Sequence, residues 1–520
     1  MTTVETTLVD VAESYRIEAN QKLDQTTQTE LGQFMTPSSV ASFMASLFEF
    51  AGGSEPIALL DPGAGVGSLS AAFIHRCLLA SHVPPKITVD AYELDPVMLS
   101  YLVQTVQQCR ATCKEAGVNF SGNSIHKNFI ADGVERIWNA NSLFGQPLQG
   151  YTHCIMNPPY KKIHSDSEHR QQLSQIGIET SNLYSAFLAI AIKLLAPHGQ
   201  LVAIVPRSFC NGVYFKPFRK LLLAEMAIKQ LHVFASRKQA FKENDVLQEN
   251  IILYAVKHAP QGEICITESS DPTFDDMTER SVTFAQVVNP SDADQFIHIA
   301  TSDLDQMVVD RIGLFTHSIH DLGLDVSTGP VVDFRLKDDL CQQAEAGTVP
   351  LIYPTHFCNN QIQWPAKKGR KPNAIRNSDT SSRWLMPNGW YVLTRRFSAK
   401  EEKRRIVAAL CDPATFSAAM IGFENHLNVF HQQKNGLDPT IAKGLAVYLN
   451  STLVDHYFRQ FSGHTQVNAT DLRTLHYPSL DVLIQLGHQV NGSFPTQREI
   501  DALLELEIAQ LSQNDLPHDL

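Results

Sequence analysis

Several large classes are ruled out by what the sequence does not contain. Its 520 residues hold no run of about eighteen apolar residues, so no membrane-spanning helix is expected. The opening stretch, MTTVETTLVDVAESYRIEAN, lacks a basic segment followed by an apolar core. A secretory signal is therefore not expected, and the chain is assigned to the cytoplasm. The nine cysteines form no CxxC pair and no Cys/His cluster, which argues against a disulfide framework or a metal site. The glycine-rich stretch Gly63-Ala64-Gly65-Val66-Gly67 has the spacing GxGxG and not the GxGxxG of dinucleotide binders, which weakens a nicotinamide reading. A net positive charge is also missing, since the formal balance is −12.

What is present is ordinary for a globular chain of two to four domains: 43% hydrophobic and 18% charged residues. The charge is unevenly placed. Residues 361–410 carry twelve Lys/Arg against three acids, a local +9, which leaves −21 for the remainder. Trp364, Trp384, Trp390 and Tyr391 are interleaved with those bases. A basic stripe with aromatics on an acidic body suits docking to a polyanion; a solvated loop and half-buried aromatics would read the same.

Strands and helices alternate over residues 36–260, which predicts a doubly wound, mainly parallel sheet. A helical stripe covers Leu8 to Leu23, and a second begins near Thr36-Pro37 with Val40, Met44 and Phe48. Ile57 to Leu60 is a short apolar strand, followed by Asp61-Pro62-Gly63-Ala64-Gly65-Val66-Gly67 and a helix from Ser68 to Leu79. Ile87 to Tyr92 is a second strand ending in Glu93, where a ribose hydroxyl pair is commonly held. Ser124 to Ile130 reads as a third, with Asn128 and Phe129 near its end and Asp132 just beyond. A helix is predicted from Asn211 to Glu225, bearing Tyr214, Phe215 and Phe218. Beyond residue 260 the alternation stops, which places a boundary between 1–262 and a second, mixed α+β domain, 263–520.

The stretch Asn157-Pro158-Pro159-Tyr160 follows the apolar run Cys154-Ile155-Met156. Two prolines remove two N–H donors, fix φ near −65° and push Asn157 out of the helical region. The result is a stiff corner outside a strand end, where open α/β sheets bind ligands. Its amide, carbonyls and ring could grip a flat hydrogen-bonding group; a proline-stiffened loop with a packed tyrosine is the plainer reading.

Taken in order, Gly32-Gln33-Phe34-Met35-Thr36-Pro37, Asp61 to Gly67, Glu93 and Asn157 to Tyr160 resemble the S-adenosylmethionine-dependent DNA adenine-N6 methyltransferases, which have a Rossmann-like methyltransferase sheet. Only 28 positions separate Phe129 from Asn157, too few for an inserted recognition domain, so the order is that of the family's γ class. Glu243 to Asn250 and Gly463 to Arg473 resemble the PstI/BsuBI branch of type II restriction–modification methylases. The resemblance implies S-adenosylmethionine as cofactor, held by Thr36, Asp61, Gly63, Gly65, Glu93, Asn128, Phe129 and Asn157. At the cofactor's adenine edge the family's usual acid is replaced by Asn128, with Asp132 as the alternative. It implies catalysis by Asn157, Pro158, Pro159 and Tyr160, with Tyr160 and Phe215 against a flipped adenine. It further implies a C-terminal target-recognition domain, double-stranded DNA as substrate, CTGCAG as target and a functionally paired restriction endonuclease. An RNA base, a protein glutamine or a nuclease–methyltransferase fusion would use the same corner.

Overall fold

The computed structural model describes residues 6–23, 35–50, 55–142, 145, 147–164, 166–235, 249–290, 292–366, 371–398, 402–461 and 466–514. Two compact units divide at Thr301/Ser302.

The first unit is built on a nine-stranded sheet: β1 (Ile57–Pro62), β2 (Lys86–Tyr92), β3 (Asn119–Ile125), β4 (Tyr151–Met156), β5 (Leu195–Pro206), β6 (Met226–Phe234), β7 (Asn250–Lys257), β8 (Ile264–Ser269) and β9 (Thr278–Val282), in the order β3-β2-β1-β4-β5-β7-β6-β8-β9. The five strands from β3 to β5 are parallel. Helices cover both faces. Val202, Ile204 and Ile252 face a core shared with Leu8–Lys22, Ser38–Ser46, Ser68–Leu78 and Pro96–Glu115. Leu201, Ala203 and Leu253 face another shared with Phe129–Ala140, Leu183–Leu194 and Lys216–Glu225. Burial on both faces is why the central strands read as unbroken apolar runs. The strand order reverses between β1 and β4, and that switch point opens a crevice at their carboxyl ends.

Three boundaries differ from the sequence expectation. The third strand ends at Ile125 and not at Ile130, because the Asn128 side chain accepts from the Ile130 and Ala131 amides at 2.9 and 3.2 Å and starts a helix there. The helix predicted from Asn211 begins at Lys216, behind a short 3₁₀ turn over Val213–Phe215, with Pro217 in its first turn. The first unit also extends past residue 262. β8 pairs in parallel with β6, and β9 antiparallel with β8. The change in texture after residue 260 is thus a change of topology within one sheet.

The second unit is mixed α+β. A six-stranded sheet runs Asp325–Thr328, Leu427–His431, Tyr391–Arg395, Ala408–Cys411, Gln361–Ile362, Phe357–Cys358 in spatial order. A five-stranded sheet accompanies it. The helices Pro439–Leu449 and Leu480–His488 pack so closely that a Cβ on Gly444 would lie 1.8 Å from the Leu483 carbonyl oxygen. Much of the basic window is structural. Arg405 is fully buried with its guanidinium over Phe458, Tyr391 is fully buried, Arg404 donates to the Ser451 carbonyl at 2.7 Å, and Lys371 and Arg376 pair with Asp333 and Glu345. Lys367, Lys368, Arg370 and Lys400 lie outside the described residues, as do Gly32 to Phe34, Glu243 to Gln248 and Gly463 to Thr465.

Candidate active site

After β1 the chain turns through Gly63, Gly65 and Gly67 with φ of 77°, 58° and 89°. Glycine adopts these angles without the strain an L side chain would meet. The loop is pinned from β2. The Gly63 and Ala64 amides donate to the Tyr92 carbonyl at 3.0 and 2.8 Å, and the Gly65 amide donates to Glu93 Oε2 at 2.9 Å. Glu93 Oε1 accepts from the Leu94 and Asp95 amides, both at 2.7 Å. A carboxylate has about four lone-pair positions. Three are taken, which leaves about one for a ligand.

The crevice at the switch point is partly open to solvent. Of the residues singled out from sequence, Thr36, Gly63, Gly65, Glu93, Phe129, Asn157 and Pro159 line it. Ser68, Lys127 and Phe187 line it too and had no sequence signal of their own. Ser68 begins a helix, and its buried hydroxyl has no hydrogen-bond partner. Phe187 is brought in by the helix Leu183–Leu194, and its ring centre lies 5.0 Å from that of Phe129.

The remaining sequence candidates lie off the wall. Asn128 spends its oxygen on the helix cap, so the wall at that point is Lys127 and Phe129. Asp132, the alternative, accepts from the Tyr92 hydroxyl and from Lys127 Nζ, each at 2.8 Å. Phe215 is buried, with its ring centre 5.6 Å from that of Tyr184. The 3₁₀ turn directs it into the core and leaves its neighbour Tyr214 75% exposed. Pro158 is buried.

Asp61 is also fully buried and off the wall. One oxygen accepts from Ser70 Oγ at 2.6 Å, and the other has no partner. Burial pushes its carboxyl from the usual 3.8 up to about 7, and the nearby Glu93 charge adds to the rise. A raised folded-state value means that folding favours the protonated form. The stability contribution is complete below about 3.8 and is lost as pH rises through about 7. The protein is therefore expected to lose thermal stability between pH 5 and 8 relative to Asp61→Asn. A difference in melting temperature that stays flat over this range would refute protonation of Asp61.

At the corner after β4 the Asn157 carboxamide is held from both ends. Its Nδ2 donates to Thr36 Oγ1 at 3.0 Å, and its Oδ1 accepts from the Tyr160 hydroxyl at 2.9 Å. The Tyr160 hydroxyl also lies 3.1 Å from the Ile204 carbonyl at the end of β5, and its ring meets Tyr184 edge-on at 6.3 Å. Burial keeps the Tyr160 phenol far above its usual range, so it remains a neutral donor. The corner thus fixes a planar acceptor beside a glycine-walled crevice. Among the described residues no cluster of three His, Cys, Asp or Glu could hold a metal ion, and no helix is long and apolar enough to cross a membrane.

Residues 98–241 match the family model described as Eco57I restriction-modification methylase. The chain is 44% identical over 506 residues to the type II methyltransferase M.BsuBI of Bacillus subtilis, covering 96% of this chain and 98% of that protein. It is likewise 44% identical to the type II methyltransferase M.PstI of Providencia stuartii, covering 95% and 96%. In fold it is similar to the type IIL restriction-modification enzyme MmeI solved in complex with DNA, at 12% identity and a TM-score of 0.52, covering 98% of this chain and 74% of that one.

Proposed function

The chain belongs to the type II DNA methyltransferases of restriction–modification systems, and from that premise we propose that it methylates N6 of an adenine flipped out of double-stranded DNA, with S-adenosylmethionine as donor. The observation that carries the reading is the Asn157 carboxamide, clamped between Thr36 and Tyr160 at the wall of the glycine-lined crevice.

The crevice fits the cofactor. Ser68, with an unpartnered hydroxyl at a helix N-terminus, suits the carboxylate of an amino-acid moiety. Thr36, Gly63 and Gly65 border the same part. The remaining acceptor position of Glu93 suits a ribose hydroxyl, and Phe129 and Phe187 offer apolar faces to a purine. S-adenosylmethionine supplies a methyl group already activated by its sulfonium.

What is left for the protein is to present N6. Its lone pair is delocalised into the adenine ring and lies inside the duplex. Extruding the base costs roughly a few kcal/mol. The second lone pair of Asn157 Oδ1 and the Pro158 carbonyl accept the two N6 hydrogens, which favours a more tetrahedral nitrogen and frees its lone pair. Tyr160 stacks on the base, a contact worth about 1–3 kcal/mol. Holding the reactants in line supplies much of the acceleration, and no strong base is required. The second unit acts as the target-recognition domain. CTGCAG is carried as the target on the near full-length similarity to M.PstI and M.BsuBI. A cognate endonuclease then shares that site without needing to bind this chain, and the enzyme works in the cytoplasm.

The test is expression in a host free of adenine methylation, followed by single-molecule sequencing of its DNA. N6-methyladenine at one recurrent site, CTGCAG, is expected. Methylcytosine, or methyl label found only in RNA or protein, would overturn the reading.

A further inference from the structure

A second, more open cavity lies wholly within the unit Ser302–Leu520. Tyr353, Lys371, Arg395, Phe397, Glu424 and His426 form its working wall. Tyr353 is 1% exposed, yet its hydroxyl has no hydrogen-bond partner. Arg395 Nε is buried and equally without a partner. Orphaned buried donors are costly in a folded protein, and two on residues that line one cavity point to a ligand that accepts hydrogen bonds.

The acids narrow the choice. Glu424 is fully buried, accepts from the His426 backbone amide at 3.0 Å and binds His426 Nδ1. Glu402 stands at the same cavity. Lys371 is already paired with Asp333 at 2.9 Å. A phosphate would meet both glutamates against the Arg395 guanidinium alone, since Lys371 is committed to Asp333. A neutral planar heterocycle with two adjacent acceptors meets no such repulsion. Phe397, 46% exposed with its ring centre 4.9 Å from that of His426, adds an apolar surface at the same place. Among the bases, guanine presents the adjacent acceptors O6 and N7, the pair that arginine most often contacts.

We propose that this cavity recognises a guanine of the target site, with Arg395 donating to its N7 and Tyr353 to its O6. The inference rests on the DNA-methylating reading above and assigns part of its sequence specificity. Glu424 and His426 act by positioning: they fix the rim and exclude phosphate.

The experiment uses the full chain and duplexes containing the methylated site, each with one guanine replaced by 7-deazaguanine, which lacks the N7 acceptor. Wild type is expected to lose about tenfold in kcat/KM at a single guanine position. Arg395→Gln is expected to lose a similar factor on unmodified DNA and nothing further when that same guanine is replaced. Tyr353→Phe keeps the ring and its packing, and is expected to narrow discrimination at that base pair while leaving the melting temperature near wild type. Equal loss of Arg395→Gln on every duplex, with a shallower salt dependence, would indicate a phosphate contact and overturn the proposal. A target site without guanine, or variants that discriminate as wild type does, would overturn it as well. Failure of wild type to methylate any duplex would instead overturn the reading on which it rests.

Discussion

Asn157→Ala is expected to lower kcat by about 10²–10³-fold, the usual loss when a preorganised polar group that acts at the reacting centre is removed. The geometry explains why so much rests on one side chain. Thr36 and Tyr160 hold the carboxamide at 3.0 and 2.9 Å from opposite ends, so its acceptor is in place before a base arrives. Alanine removes the acceptor and leaves the Tyr160 hydroxyl with the Ile204 carbonyl, while Ser68, Glu93 and the glycine loop, proposed above to hold the cofactor, are untouched. The expected signature is therefore a fall in kcat with a small change in the dissociation constant for S-adenosylmethionine, read by single-turnover methylation and equilibrium titration. Near-normal turnover would remove Asn157 from the mechanism.

Glu93→Ala is expected to do the reverse and strike binding first. The carboxylate ties Gly65 of the loop to the amides of Leu94 and Asp95. Hydrogen bonds to charged groups contribute roughly 1.5–3 kcal/mol each. Losing the tie to Gly65 and the acceptor proposed for the ribose should weaken S-adenosylmethionine binding about a hundredfold or more, measured by titration calorimetry. Glu93→Gln keeps an acceptor and should fall in between. An unchanged affinity in Glu93→Ala would mean that the Tyr92 carbonyl alone holds the loop.

The two variants separate features that were legible in the sequence to different degrees. Glu93 and the glycines could be placed from local chemistry, since an acid at a strand end and a glycine loop before a helix have few other uses. Asn157 was legible from its own residues as a stiff corner, and as a catalytic candidate only through the family resemblance; its clamp was not legible, because Thr36 lies 121 positions upstream and Ile204 44 positions downstream of their partners. Asn128 shows the opposite error. An asparagine placed by motif order at a strand end is in fact a helix cap, because a short polar side chain satisfies the nearest free amides first. Phe215 was displaced by a 3₁₀ turn whose direction the helical periodicity could not show.

The sequence by itself determined the parallel sheet with helices on both faces, the glycine loop after β1 and the stiff corner after β4, because hydrophobic period, glycine and proline act over a few residues. Tertiary structure decided the rest. It set the domain boundary at Thr301/Ser302, since strand pairing is a long-range choice. It turned much of the basic window into buried and paired structural groups. It also joined Ser68, Lys127 and Phe187 to one crevice and buried Asp61 behind it with its carboxyl pushed up to about 7, because burial and proximity exist only once the chain has closed on itself.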